Sequence, residues 1–385
     1  MTVASSCPAL PHARIEAQAS NVRQEGPVSR QLILTIMRSI LNTLLIACLA
    51  ASSSIAASAQ SYAIGADVSF LAQCEHDGVV FKENGSPRDP LAILREHHYN
   101  WIRLRLFHDP SAATDRLPND LNYTLALATH ARKMGFHLLL DLHYSDSWAD
   151  PGKQPIPKAW SGLNHRQLTH QVFYYSRSVL AAFRRAGVPP EMVQVGNEIT
   201  NGMLWPDGKL PANWDNFADL LKAGISGVRA GSGHEPRPRI MIHIDRSGDY
   251  AAAVSFFDEL NSRHIAFDVI GLSYYPMWHG SISTLRLNLR NLALRYNRPI
   301  IVVEAAYNWM PGEMAGRKSD FPESPEGQRD FLAAVDAAVR AIPNGLGQGV
   351  FWWEPAAEGG LRKRSFFDNE GNVLPVISVF DHSPP

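Results

Sequence analysis

The chain has 385 residues, with 36 Lys and Arg against 37 Asp and Glu, a net charge of −1 and 45% apolar side chains. A near-neutral chain without a basic block lacks the positive field that nucleic acid or an anionic membrane would need as main partner, and so apolar a composition excludes a disordered chain. Three Cys are too few to staple a fold of this length, so stability must come from a large core.

In chain order, residues 1–60 come first and hold none of the 16 Phe, 11 Tyr and 9 Trp. A segment without them builds no packed core. Within it, Met37-Arg38 precedes an apolar run, Ile40 to Ala51, and then small residues ending Ala57-Ser58-Ala59-Gln60. That is the order of a secretory signal peptide. Residues 1–36 are therefore read as a spurious extension from an upstream start codon, 37–59 as the signal and 60–385 as the folded domain of a secreted or periplasmic protein. A second reading takes Leu45-Ile46-Ala47-Cys48 as a lipoprotein box, which would tether the same domain to a membrane, although the stretch 37–47 is short for a signal. The apolar run also falls short of the ~20 residues that a membrane span needs. Cleavage near Ala59 removes Cys7 and Cys48 and leaves Cys74 without a partner.

Eight apolar runs follow: Ala63–Ser69, Trp101–Phe107, Phe136–His143, Met192–Glu198, Arg239–Asp245, Asp268–Tyr275, Pro299–Glu304 and Gly347–Trp353. Near-continuous apolar character predicts parallel strands buried on both faces. Between them lie amphipathic stretches such as Leu121–Met134, Leu168–Arg185, Trp214–Arg229 and Gln328–Ala341, with Gly135, Gly187 and Gly231 as expected helix stops. Eight strand-helix units without a Gly/Ser or Pro-rich linker predict an α/β fold, a single (β/α)8 TIM barrel. A doubly wound sheet is the alternative, but Gly65-Ala66-Asp67 does not open a G-x-G-x-x-G fingerprint.

Chemistry in such a barrel sits at the C-terminal strand ends. Polar residues gather there: Asp67, Arg103 and Arg105, Asp141 and His143, Asn197 and Glu198, His243 and Asp245, Tyr274 and Tyr275, Glu304, and Trp353 with Glu354. Strand alternation places Asp141 with His143, Gln194 with Gly196 and Glu198, and Ile300 with Val302 and Glu304. Glu198 and Glu304 each close an apolar strand, where an ionised carboxylate is costly unless partners or a function keep it. Two carboxylates facing one cleft can divide acid and nucleophile roles; a buried ion pair of Glu304 with Arg103 or Arg105 is the bland alternative. Arg105 could orient a nucleophile, or tie structurally to Asp67 or Asp141. His143 and His243 stand in a polar ring, suited to hydrogen-bonding substrate or a carboxylate. A metal site would use the same His/Asp mix, but tight H-x-H or H-x-x-x-H spacing is missing. Trp148, Trp160, Trp205, Trp278, Trp309 and Trp353 fall in or beside the loops after strands three to eight, where rings offer apolar faces to sugars.

The segments Asp141 to Pro151 (DLHYSDSWADP), Gly196 to Pro206 (GNEITNGMLWP), Ser273 to Pro276 (SYYP), Val303 to Tyr307 (VEAAY) and Phe351 to Pro355 (FWWEP) together resemble glycoside hydrolase family 53, the arabinogalactan endo-β-1,4-galactanases. The resemblance implies a retaining endo-hydrolase of β-1,4-galactan with Glu198 as acid/base and Glu304 as nucleophile. It implies Asn197 at the 2-hydroxyl, Tyr275 and Arg105 poising Glu304, Trp353 under the reacting sugar, and Asp67, His143, His243, Trp148, Trp205 and Trp309 completing the substrate site. The expected partner is plant cell-wall galactan or arabinogalactan, bound by a monomer without nucleic acid.

The chain departs from the family pattern after Glu304, where Ala305-Ala306-Tyr307-Asn308-Trp309 replaces the usual Thr-Ala-Tyr-Pro-Trp. The loop Ala356–Phe367 is short and basic. Some relatives bind calcium with a longer loop there, so no metal and no other cofactor is expected. A clan relative cutting xylan, mannan or glucan, or a non-catalytic carbohydrate-binding barrel, are the rival functions.

Overall fold

The computed structural model describes residues 62–115, 117–233, 236–314, 316–317 and 319–382. The extension, the signal and Cys48 lie outside them. Eight parallel strands close a barrel: β1 (Ala63–Asp67), β2 (Trp101–Leu106), β3 (His137–Leu142), β4 (Met192–Val195), β5 (Arg239–Ile244), β6 (Val269–Tyr274), β7 (Ile300–Ala305) and β8 (Gly347–Trp353). Neighbours in sequence are neighbours in the barrel, and β1 closes against β8 through Ala63–Gly349 to Asp67–Trp353. The predicted barrel is therefore the observed one, with all eight predicted runs on its strands.

Seven of the helices packed outside are α1 (Pro90–Glu96), α2 (Leu121–Lys133), α3 (His165–Arg185), α4 (Trp214–Ser232), α5 (Tyr250–Ser262), α6 (Ile282–Tyr296) and α7 (Pro325–Arg340). Their starts are written in short polar residues whose side chains accept from orphan backbone N–H groups: Asp120 from Tyr123, Asn164 from Gln167, Asp249 from Ala252 and Ser281 from Thr284. Gly135 and Gly187 follow helix ends at positive φ, as expected. Gly231 does not stop α4, which runs on to Ser232 with Gly233 at φ 81° behind it. Gly231 instead lets two helices approach: a Cβ there would lie 2.3 Å from the Arg177 carbonyl oxygen of α3, and one on Gly227 would lie 2.3 Å from that of Phe173.

Inside the barrel the lower layers are an apolar plug of Ala63, Trp101, Leu139, Met192, Met241, Val269, Ile301, Val303 and Phe351. Gly65 makes room for it, since a Cβ there would lie 2.1 Å from the Phe351 ring. One step up the strands the interior turns polar, with Asp67, Arg103, Asp141, Gln194, His243 and Ser273 all at most 1% exposed. Strand β7 breaks the expected alternation. Ile301 and Val303, not Ile300 and Val302, belong to the plug, and a register shift pairs Leu272 with Val302 but Ser273 with Glu304. This bulge lets adjacent Val303 and Glu304 both face inward, the re-aiming that bulges beside active sites perform.

Candidate active site

Arg103 is the hub of the polar layer. Its guanidinium reaches Asp67 at 2.7 Å, Asp141 at 2.8 Å, Gln194 at 3.2 Å, Asn197 at 3.1 Å and Glu304 at 2.7 Å. Burial works against ionisation of Asp141, yet Arg103 and His143 hold its carboxyl below the usual carboxylate range. Glu304, 6% exposed, also accepts from the Tyr275 hydroxyl at 3.0 Å. Burial raises its pKa and Arg103 opposes that rise.

Glu198 stands across the cavity, just beyond the end of β4. Its backbone is left-handed at φ 46°, ψ 50°, a conformation that non-glycine residues hold at a cost and that clusters at functional sites. The strand ends at Val195, so alternation does not carry past it: Asn197 turns inward to meet Gln194, while Glu198 swings to the cavity wall. Its carboxyl contacts the Ser273 hydroxyl at 2.6 Å. Burial and the Glu304 charge push its pKa well above the ordinary value. Glu304 has a guanidinium at 2.7 Å where Glu198 has only a hydroxyl, so the proton of the pair resides on Glu198 and the negative charge on Glu304. One carboxylate oxygen of each residue and a ring nitrogen of His243 lie within 4.8 Å of one another.

The cavity around the pair is lined by Arg103, Arg105, His143, Trp148, Asn197, Tyr275, Trp278, Trp353 and Arg364 among others. A second cavity, lined by Asp150, Pro151, Glu198, Asp245, Trp278 and His279, adjoins it along Asp150, Glu198 and Trp278. The predicted residues divide accordingly. Tyr275, His143, Trp148, Asn197 and Trp353 line the cavity. Asp67 and His243 lie behind it, the first bound to Arg103, the second with Nδ1 at 3.1 Å from Asn197 Oδ1 and Nε2 at 2.7 Å from Ser273 Oγ.

Arg105 does not poise Glu304; Arg103 occupies that place, one alternation step lower. The Arg105 guanidinium meets Glu354 at 2.5 Å and is held between the Phe70 and Trp148 rings, 4.2 and 4.5 Å from their centroids. Trp205 and Trp309 hold loops: their indole N–H groups donate to the Asn201 and Arg362 carbonyls at 2.9 and 3.0 Å. Trp160, 2% exposed, is core.

Comparison with known proteins gives the family. The sequence model of glycosyl hydrolase family 53 matches residues 63–380.

The chain belongs to glycosyl hydrolase family 53.

It is 41% identical over 315 residues to an uncharacterised protein of Niallia circulans, covering 77% of this chain and 84% of that one. It is 35% identical over 341 residues to the arabinogalactan endo-β-1,4-galactanase A of Aspergillus niger, covering 82% and 93%. The solved family 53 catalytic domain of Ignisphaera aggregans superposes with a TM-score of 0.77 at 34% identity, covering 83% of this chain and 95% of that one.

Two features of this family 53 hydrolase escaped the reading of its sequence. Arg364, from the short basic loop after β8, folds back into the cavity with its guanidinium 5.1 Å from the Trp353 ring centroid, and also pairs with Glu313. Ser273 lies on the face shared with Gly271 and Tyr275, so alternation from the predicted Tyr275 could have found it. The oxygen and nitrogen trio of Glu198, His243 and Glu304 is not arranged as a metal site. Both His243 nitrogens are engaged within the protein, and Glu304 already faces a guanidinium.

Proposed function

We propose that the enzyme is a retaining endo-hydrolase of β-1,4-galactosidic bonds in galactan or arabinogalactan. The observation that carries the mechanism is the close, unequal carboxyl pair. Their facing oxygens within 4.8 Å of one another support the ~5–5.5 Å carboxyl separation of a double displacement over the ~6.5–9.5 Å of an inverting reaction. Glu304, kept ionised by Arg103 and Tyr275, attacks the anomeric carbon. Glu198 gives its proton to the leaving oxygen, then takes one from the water that releases the sugar from Glu304. Asn197, its amide fixed by Arg103, Gln194 and Ala149, faces the sugar's 2-hydroxyl, and Trp353 lies beneath the ring. The two cavities share Asp150, Glu198 and Trp278, so a polymer can pass on both sides of the acid, as an endo-enzyme requires.

The β-1,4-galactan substrate is supported by the name of the Aspergillus niger relative. Export is supported by the leader-like residues 37–59; among the described residues no helix is long and apolar enough to cross a membrane. The test is a reducing-sugar assay on galactan, arabinogalactan, xylan, mannan and carboxymethyl-cellulose, with the first product's anomer read by NMR. Galactan cleavage giving the β-anomer first is expected. Activity confined to a non-galactan overturns the substrate, and an α-anomer overturns the mechanism.

A further inference from the structure

A chain of polar groups runs from the barrel centre to the acid, and each group fixes the hydrogen position of the next. Arg103 can only donate and ionised Asp141 can only accept. Gln194 must therefore turn its Nε2 to Asp141 Oδ1, at 2.6 Å, and its Oε1 to Arg103, at 3.2 Å. Asn197 must turn its Oδ1 to Arg103 and to Gln194 Nε2, at 3.1 and 3.0 Å, while its Nδ2 donates to the Ala149 carbonyl at 2.8 Å. The same Oδ1 faces His243 Nδ1 at 3.1 Å, so that ring nitrogen carries a hydrogen.

His243 is completely buried, and burial together with the Arg103 charge keeps its pKa well below the ordinary histidine value. The ring is neutral, with one hydrogen already placed on Nδ1, so Nε2 is a bare acceptor. Its neighbour at 2.7 Å is the Ser273 hydroxyl, which owns a single hydrogen. Once that hydrogen points at His243, the oxygen of Ser273 presents a lone pair to Glu198 Oε1 at 2.6 Å. Only a protonated carboxyl can complete such a contact. An ionised Glu198 would face that lone pair, or would draw the hydroxyl away and leave Nε2 buried without a donor, which is costly.

We infer that Ser273 and His243 form a one-directional hydrogen-bond relay that keeps the proton on Glu198 until the leaving oxygen takes it: Glu198 donates to Ser273, Ser273 to His243 Nε2, and His243 Nδ1 to Asn197. Ser273 and His243 are thus positioning residues for the general acid. The inference rests on the acid role proposed above for Glu198. Other groups facing the relay act through charge and persist when it is cut: Glu304, Asp245 and Arg103 around Glu198, with Asp150 and His279 on the shared cavity, and Arg103, Asp141, His143 and His279 around His243.

The test is the pH profile of kcat/KM for Ser273→Ala against wild type. Glu198 must be protonated to act as acid, so it sets the alkaline limb, and Glu304 must be ionised, so it sets the acid limb. Cutting the relay removes a partner that favours protonated Glu198, and the alkaline limb should fall by roughly one to two pH units while the acid limb stays. A hydroxyl that donated to ionised Glu198 would give the opposite result, so an alkaline limb that rises or stays overturns the relay. A second measurement needs neither folding of the variant nor the right polysaccharide: 15N NMR of the intact wild-type enzyme should show His243 with its hydrogen on Nδ1 and a bare Nε2. A hydrogen on Nε2 overturns the relay even if galactan is hydrolysed. Failure to cleave galactan with Nδ1–H observed overturns the substrate reading and supports the relay.

Discussion

Tyr275→Phe isolates one of the two groups that hold Glu304 ionised. The change deletes a hydroxyl 3.0 Å from the Glu304 carboxylate and leaves the ring in the same buried space. Tyr275 is itself pushed well above its ordinary pKa, by burial and then by the Glu304 charge, so it is a donor throughout the working range. A hydrogen bond to a charged acceptor contributes about 1.5–3 kcal/mol. At 1.36 kcal/mol per pKa unit, the loss corresponds to about one to two units, with the lower figure favoured because Arg103 remains at 2.7 Å. The sign follows from the chemistry: the bond favours the ionised form, so its loss raises the Glu304 pKa and moves the acid limb of kcat/KM to higher pH. Stability at neutral pH should fall by about the same 1.5–3 kcal/mol, because the lost bond favours the ionised carboxylate of the folded state, with no further loss from packing. Profiles of kcat/KM on a soluble galacto-oligosaccharide, with thermal melts alongside, decide it. An acid limb that stays in place or moves down would refute the claim that this hydroxyl sustains the nucleophile. Replacing Arg103 is a poorer test, because it strands Asp67, Asp141 and Glu304 together, and breaking even one buried pair costs about 3–5 kcal/mol.

Glu304→Ala should lower turnover by several orders of magnitude without lowering the melting temperature, because it removes a buried carboxylate while Arg103 keeps Asp67 and Asp141; kinetics and calorimetry on one preparation check both halves. Trp278, 66% exposed on the wall shared by the two cavities, can lose its ring without loss of core. Trp278→Ala should raise KM for the polymer by roughly three- to tenfold, the equivalent of about 0.5–1.5 kcal/mol of aromatic contact, with little effect on the melt. Gly227→Ala places a Cβ 2.3 Å from the Phe173 carbonyl oxygen and should destabilise by about 1–3 kcal/mol through overpacking, read in a denaturant melt, while kcat at low temperature is kept.

The barrel and the meeting of Glu198 with Glu304 at one cavity were legible because each leaves a signal along the chain: eight apolar runs, and a carboxylate closing two of them. What the chain did not display was geometry that breaks a period. Glu304 was expected on the face of Ile300 and Val302, but the bulge in β7 puts it beside Val303 in the interior. The roles of Arg103 and Arg105 were exchanged for a related reason. Both lie on one face of β2, and only their heights decide that the lower guanidinium reaches Glu304 and the upper one Glu354. Burial with Arg105 opposing still raises Glu354 to about 8, which no spacing announces. Arg364 was invisible as a cavity residue because a short basic loop reads as solvent-facing. Among six Trp rings placed near the strand ends, sequence could not separate Trp148, Trp278 and Trp353, which line the cavity, from Trp160, Trp205 and Trp309, which support the walls.

The plug of Trp101, Met241, Phe351 and their neighbours gives the mechanism a sense of order in time. It seals the barrel below Arg103, so in the proposed double displacement a glycosyl group on Glu304 would have no supply of solvent from beneath. Under that mechanism the water of the second step would come from the cavity side, where Asp150, Glu198 and Trp278 line both cavities, the side from which the leaving sugar departs. In that scheme hydrolysis waits on departure, and accumulated product should slow the second chemical step by standing where the water must stand.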